Sequence, residues 1–198
     1  MSEKSLIWVD KKDRIIGYGE KIETHRLEQL HRAFSLFIYC KEQDMFLLQK
    51  RDYRKYHSGG KWSNSCCSHP YRNENWKNAL QRCASDELNI KLKINDNIIC
   101  DSNMRPQYID KKLYYAGSFI YYSQFDDLSE HEYDYVFLYL SDDIEKNICF
   151  NKSEVSEVLW VKKDLLEQWM IESPNDFSAW FKEAYEVINK QFSSIFNE

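Results

Sequence analysis

The stretch KWSNSCCSHPYRNE, residues 61–74, sets two adjacent cysteines two residues ahead of a histidine. Such a group can be a disulfide, half of a zinc site, or a thiol that does chemistry. No C-x-x-C pair occurs in the chain, which argues against a structural zinc knuckle. Successive residues of a strand face opposite ways, so one of Cys66 and Cys67 can pack inward while the other faces a cleft. The remaining four, Cys40, Cys83, Cys100 and Cys149, lie in apolar runs and are expected to be small core residues.

Carboxylates supply the next signals. In SEHEYDY, Glu130 and Glu132 fall on one face of a strand, about 7 Å apart, and repel unless a metal or a proton intervenes. The alternative is a solvated strand end. Glu87 lies in the apolar stripe of a helical pattern, about 20° from Trp76 on a wheel of 100° per residue. A carboxylate there is costly to bury without a positive partner. A salt bridge or an uncovered edge of the stripe would explain it, and so would a metal ion or a clamp on a cationic substrate. Three of the five histidines, His25, His31 and His69, precede or enter predicted strands. With two carboxylates they would make a site for Mg²⁺, Mn²⁺ or Zn²⁺, although spacing alone does not bring them together. The run LLQKRDYRKYHSGGKW adds Arg51, Arg54 and Lys55 beside two glycines. A solvated surface is the ordinary reading of such a run; a phosphorylated ligand is the sharper one.

The elements that must position these groups follow from periodicity. Strands are predicted at 6–9, 14–20, 33–40, 46–49, 113–122, 133–140 and 157–161. Helices are predicted at 75–88, 164–170 and 177–192, with Phe177, Trp180, Phe181, Ala184, Tyr185, Ile188 and Phe192 on one side of the last. Mixed in this order they imply a sheet covered by helices. The 198 residues, 43% hydrophobic and 16% aromatic, suffice for one domain with a substantial core, and only five glycines and three prolines interrupt it. A net charge of −5 without a Lys/Arg block gives no sign of nucleic-acid or membrane-surface binding. The first residues carry no apolar run long enough for a signal peptide or a span, so a cytoplasmic protein with reduced thiols is expected.

Taken together, these segments make the chain resemble type I isopentenyl-diphosphate isomerase, a branch of the Nudix-like fold, over nearly its whole length. The resemblance is carried by EK at 20–21, LHRAFSLFIY at 30–39, FLLQKR at 46–51 and WSNSCCSHP at 62–70. It continues through DEL at 86–88, EHEYDY at 130–135 and DFSAWF at 176–181. It implies an α+β fold, a mixed sheet packed between helices, as a single domain over residues 1–198. It also implies Cys67 as the catalytic thiol, Glu132 as the second acid/base, Tyr121 as a proton relay and Trp180 as the indole over the reacting alkene. Tyr114 and Tyr122 are second choices for the tyrosine. His25, His31, His69, Glu130 and Glu132 would hold one Mn²⁺, Mg²⁺ or Zn²⁺. Glu87 would hold a Mg²⁺ on the substrate diphosphate, with Lys21, Arg51, Lys55 and Arg82 as its cations. Cys66 is left to packing.

The implied reaction moves a double bond reversibly between isopentenyl and dimethylallyl diphosphate through a tertiary carbocation. Its partners would be these small molecules, in a monomer or homodimer. Three departures from the family pattern stand out: Cys83 replaces a second arginine, Ser68 a glycine, and Asn89 the glycine after EL. Arg82 or Arg54 could compensate for the missing charge. The rival is a Nudix pyrophosphohydrolase, whose box is represented here by Ser68, Glu74, Arg82-Cys83, Asp86-Glu87 and Asn89. Cys83 removes one of its metal-binding glutamates. A retired isomerase that only binds a metal or a partner is the non-enzymatic alternative.

Overall fold

The computed structural model describes residues 4–94, 99–101, 105–108, 112–145 and 147–196. The chain runs through β1 (Leu6–Val9), β2 (Ile15–Gly19), α1 (Lys21–Arg26), β3 (His31–Cys40), β4 (Met45–Arg51), β5 (Trp62–Ser63) and β6 (Cys66–Ser68). It continues through α2 (Trp76–Leu88), β7 (Ile99–Cys100), β8 (Pro106–Tyr108), β9 (Leu113–Phe125), β10 (Leu128–Ser141) and β11 (Val155–Lys162). It closes with α3 (Lys163–Glu172), a 3-10 turn at Pro174–Asp176 and α4 (Phe181–Phe196).

The strand β3 is the hub, and every one of its residues is buried. It pairs in parallel with β10, from His31 opposite Glu132 to Cys40 opposite Ser141. Its other edge takes β1, β6 and β4 in turn, all antiparallel. The sheet extends from β10 to β9 and from β4 to β11. Alternation divides β3 between two cores. Phe34, Leu36 and Ile38 pack with Trp76, Leu80 and Cys83 of α2. Phe37 and Tyr39 pack with Leu166 of α3 and with Phe181, Tyr185 and Ile188 of α4. The predicted mixed sheet between helices is therefore the observed one.

Local chemistry fixes α2 closely. The side chain of Asn75 accepts from the Asn78 amide at 2.9 Å as an N-cap, and Asn89 ends the helix at φ 54°. Asparagine tolerates that left-handed conformation, so the glycine that the resemblance leads one to expect after EL is not required there.

Four expectations need correction. The last helix starts at Phe181, not at 177. Phe177 is extended and bridges Trp62, and the Ser178 amide donates to the Trp62 carbonyl at 2.8 Å. Phe177 nonetheless stacks on Phe181 at 4.7 Å, so it shares the core of α4 without belonging to the helix. Trp180 becomes the residue at the helix entrance, where its carbonyl accepts from the Ala184 amide. Next, β3 and β10 begin at His31 and Leu128, earlier than the apolar alternation indicated, because backbone pairing continues beneath polar side chains. Finally, Cys149 is exposed and Cys100 half-buried, so only Cys40 and Cys83 of the four are core residues.

Candidate active site and metal centre

The two faces of β6 answer the cysteine question. Cys66 pairs opposite Leu36 and enters the α2 core, whereas Cys67 pairs opposite Ser35 and faces the other way. The register of β6 carries His69 toward Ala33, and that of β10 sets Glu132 beside His31. Alternation along β3 thus presents His31, Ala33 and Ser35 on one face, with Cys67 and His69 on one flank and Glu130, Glu132 and Asp134 on the other. Ala33, the small member, leaves the room. A cavity of about 440 Å³ opens there, in the range of small-molecule sites. Cys67, His69, Tyr121, Glu130, Glu132 and Trp180 all line it, with Lys21, Arg51, Lys55, Arg82 and Glu87.

The metal-ligand expectation can be tested on unpaired atoms. One ligand atom from each of His25, His31, His69 and Glu132 lies within 4.8 Å of the others, and all four residues are buried. His31 Nδ1 is 2.8 Å from the Gln29 carbonyl, which can only accept. Nδ1 therefore carries a proton, and Nε2 faces Glu132 Oε1 at 3.6 Å. Nε2 of His25 and of His31 are both buried without a hydrogen-bond partner. His25 Nδ1 is tied to the Tyr56 hydroxyl at 2.9 Å, and His69 Nε2 lies 2.9 Å from Glu132 Oε1. Burial pushes His25 down to about 2 and His69 down to about 4, so both imidazoles are neutral near pH 7, as ligation requires. The donor set fits a divalent ion.

Glu130 is not among the four. Its Oε2 accepts from the Tyr121 hydroxyl at 2.8 Å, and its Oε1 is 2.6 Å from His57 Nε2. Tyr121 also reaches Glu132 Oε2 at 2.7 Å. A phenol has one proton, so two carboxylates share it, or one of them carries a second proton. Tyr121 sits opposite Glu132 in the β9–β10 register. By contrast Tyr114 packs on Phe192, and Tyr122 is exposed against His131.

Cys67 is half-buried, with its sulfur 3.6 Å from Arg51 Nη1; burial pushes its thiol well above the ordinary range. Trp180 donates from its indole to Asn64 Oδ1 at 3.0 Å, and the Arg51 guanidinium lies 5.0 Å from its ring centroid. The indole thus already holds a cation against its π system.

The polar end of the cavity is Glu87, Lys55 and Lys21. Glu87 is half-buried and its carboxyl is raised by burial, and its side chain accepts from Gln49 Nε2 at 2.7 Å and from the Cys83 thiol at 3.7 Å. Lys55 is paired with Glu154. Arg82 lines the cavity, but its guanidinium makes a two-pronged pair with Glu74 at 2.8 and 2.9 Å and donates to the His69 carbonyl at 3.0 Å. It braces the His69 loop, so the expected compensation for Cys83 is not visible there. Nor does Arg54 supply it, being held by Asp52. Cys83 itself is buried in the α2 core.

Sequence reasoning missed His57, Asn64, Asp134 and Glu154. Asp134 is buried with Oδ2 on the Ser35 hydroxyl and Oδ1 unpartnered. A signal for His57 was available, because a fourth histidine in a chain with five stands beside the basic turn.

A family model described as NUDIX domain matches residues 29–181. The chain is 36% identical over 187 residues to the isopentenyl-diphosphate Delta-isomerase of Aliivibrio fischeri strain ES114, covering 92% of this chain and 93% of that one. It is 34% identical to the protein of the same name from Photobacterium profundum, covering 97% and 98% of the two chains. A crystal structure of a Deinococcus radiodurans protein superposes with a TM-score of 0.64 at 17% identity, covering 92% of this chain and 96% of that one, which is a likeness of fold.

Proposed function

The chain belongs to the isopentenyl-diphosphate Delta-isomerase family of Nudix-domain proteins, and from that premise we propose how its own residues perform the isomerisation. The enzyme interconverts isopentenyl and dimethylallyl diphosphate by a 1,3-allylic proton shift. The described residues act as one catalytic domain. The observation that carries the reading is one cavity holding Cys67, the Tyr121–Glu132 pair and Trp180, with cationic side chains at its polar end.

An alkene is a poor base, so its protonation needs a placed acid in a dry pocket. Lys21, Arg51 and Lys55 grip the diphosphate, which holds the short alkenyl tail between the two proton-transfer groups. Tyr121 and Glu132 hold a proton on one side, and Cys67 stands on the other. One side delivers a proton to the terminal carbon, and the other removes one from the carbon on the far side of the cationic centre. The reverse reaction exchanges these roles. Trp180 faces the tertiary carbocation, a contact worth about 0.5–2 kcal/mol. Exclusion of water keeps the cation from being trapped as an alcohol.

His25, His31, His69 and Glu132 would hold a divalent ion, Mg²⁺, Mn²⁺ or Zn²⁺, which would supply fixed positive charge that orients Glu132 and tunes its basicity. Glu87 would hold a Mg²⁺, whose charge would offset that of the diphosphate. The pyrophosphohydrolase reading is weakened by the same geometry: Glu74 is engaged by Arg82, and Cys83 is a core residue. Incubation with isopentenyl diphosphate and Mg²⁺ should yield the allylic isomer and no phosphate. Phosphate release from a nucleoside diphosphate derivative without isomer would reverse the conclusion.

A further inference from the structure

Asn64 has no role in the scheme above, yet it is fully buried and every hydrogen-bonding position of its amide is used. Oδ1 accepts from Trp180 Nε1 at 3.0 Å and from the Ser63 hydroxyl at 3.0 Å. Nδ2 donates to the Leu36 carbonyl at 3.2 Å and to the Cys66 carbonyl at 2.7 Å. An indole N–H only donates and a carbonyl only accepts, so these partners admit one orientation of the amide. Ser63 gives its proton to Asn64, and the Ser178 hydroxyl, 3.0 Å away, donates to Ser63 in turn. Two of these bonds reach the catalytic groups. Trp180 lines the cavity, and the Cys66 carbonyl belongs to the peptide that leads into Cys67. An indole has a single hydrogen-bonding atom, so the bond to Asn64 distinguishes the observed ring orientation from its flip.

We propose that Asn64 is a positioning residue that holds the Trp180 indole and the Cys67 backbone in one frame, so that the π face and the thiol address the same alkene. A π face attracts a cation only where the cation lies over it. A ring free to turn loses that contact, whereas an uncharged alkenyl tail held by its diphosphate loses little. Asn64 therefore acts on the cationic state and not on substrate affinity. The inference deepens the isomerase reading of the cavity and rests on it.

The test compares the whole protein with Asn64→Leu, which removes all four bonds, and with Ser178→Ala, which loosens the same network but leaves the bonds to Trp180 and Cys66. Each is titrated with a five-carbon alkyl diphosphate bearing an ammonium at the carbocation centre, and with its uncharged carbon isostere. In Asn64→Leu the preference for the ammonium should fall about tenfold and kcat by a similar factor, with KM within about twofold. Ser178→Ala should stay close to wild type. An unchanged preference in Asn64→Leu overturns the proposal, and so does an equal loss in Ser178→Ala. A measurement on the wild type decides the matter even where Asn64→Leu fails to fold. The Trp180 indole N–H, assigned by its absence from the NMR spectrum of Trp180→Phe, should exchange with solvent about a hundredfold more slowly than an exposed indole. Exchange at the exposed rate overturns the proposal. Isomerisation by the wild type separates the two readings: its absence removes the function, whereas isomerisation with an unchanged ammonium preference in Asn64→Leu removes only the role of Asn64.

Discussion

Residues 31 and 32 are neighbours on β3, both fully buried and both polar, and they point to opposite faces. Arg32 enters a network that closes on itself. Its Nε donates to Asp13 Oδ1 at 2.8 Å, Arg105 donates to Asp13 Oδ2 at 2.8 Å, and the Tyr135 hydroxyl meets the same carboxylate. Its Nη1 lacks a hydrogen-bond partner, but the guanidinium lies 5.8 Å from the Tyr135 ring centroid. His31 enters a cluster in which Nε2 of His25 and of His31 are buried without a hydrogen-bond partner beside the Glu132 carboxylate. Burial without partners is costly, so a native fold keeps such an arrangement where a ligand completes it. The first cluster is satisfied by its own partners, and the second could bind a metal ion.

Substitutions should therefore separate activity from stability. Cys67→Ala should lower turnover by about 10²–10⁴-fold while leaving the unfolding midpoint in urea nearly unchanged. Metal addition should act on the second cluster alone. At about 1,000 times its dissociation constant a divalent ion should stabilise the wild type by about 4 kcal/mol. Arg32→Met should keep that gain and His31→Ala should lose it, as read by thermal melts with and without metal. Without added metal, Arg32→Met should itself cost about 3 kcal/mol in urea unfolding, because it leaves the Asp13 carboxylate short of a buried partner. The smallest effect belongs to the polar end of the cavity. Glu154→Gln frees Lys55 from a half-exposed ion pair worth less than about 1 kcal/mol. It should lower KM for the diphosphate substrate by less than about fivefold, with kcat preserved.

Much of the second cluster was legible because its members lie on regular elements. Alternation separated Cys67 from Cys66, period two put Glu130 and Glu132 on one face, and the helical wheel exposed Glu87 as misplaced. What escaped depends on contacts distant in sequence. The His57–Glu130 contact joins two segments distant in sequence, so nothing local shows it. Arg82 looked available because its partner Glu74 lies before α2. Trp180 fitted an apolar helical stripe, yet a bridge from Phe177 to Trp62 delays the helix and turns the indole to Asn64. The first cluster was not foreseen at all. Asp13, Arg32 and Arg105 sit in unrelated segments, and each looks like an ordinary surface charge in sequence.

The central claim is that a sulfur and a carboxylate-bound phenol flank one alkene. It is tested most directly by a crystal structure with an alkenyl diphosphate analogue bearing an ammonium in place of the carbocation centre. The sulfur of Cys67 should lie within about 4 Å of the carbon chain on one side, with Tyr121 and Glu132 touching the opposite side and the ammonium over Trp180. An analogue bound with Cys67 and Glu132 on the same side, or with either out of contact, would contradict it.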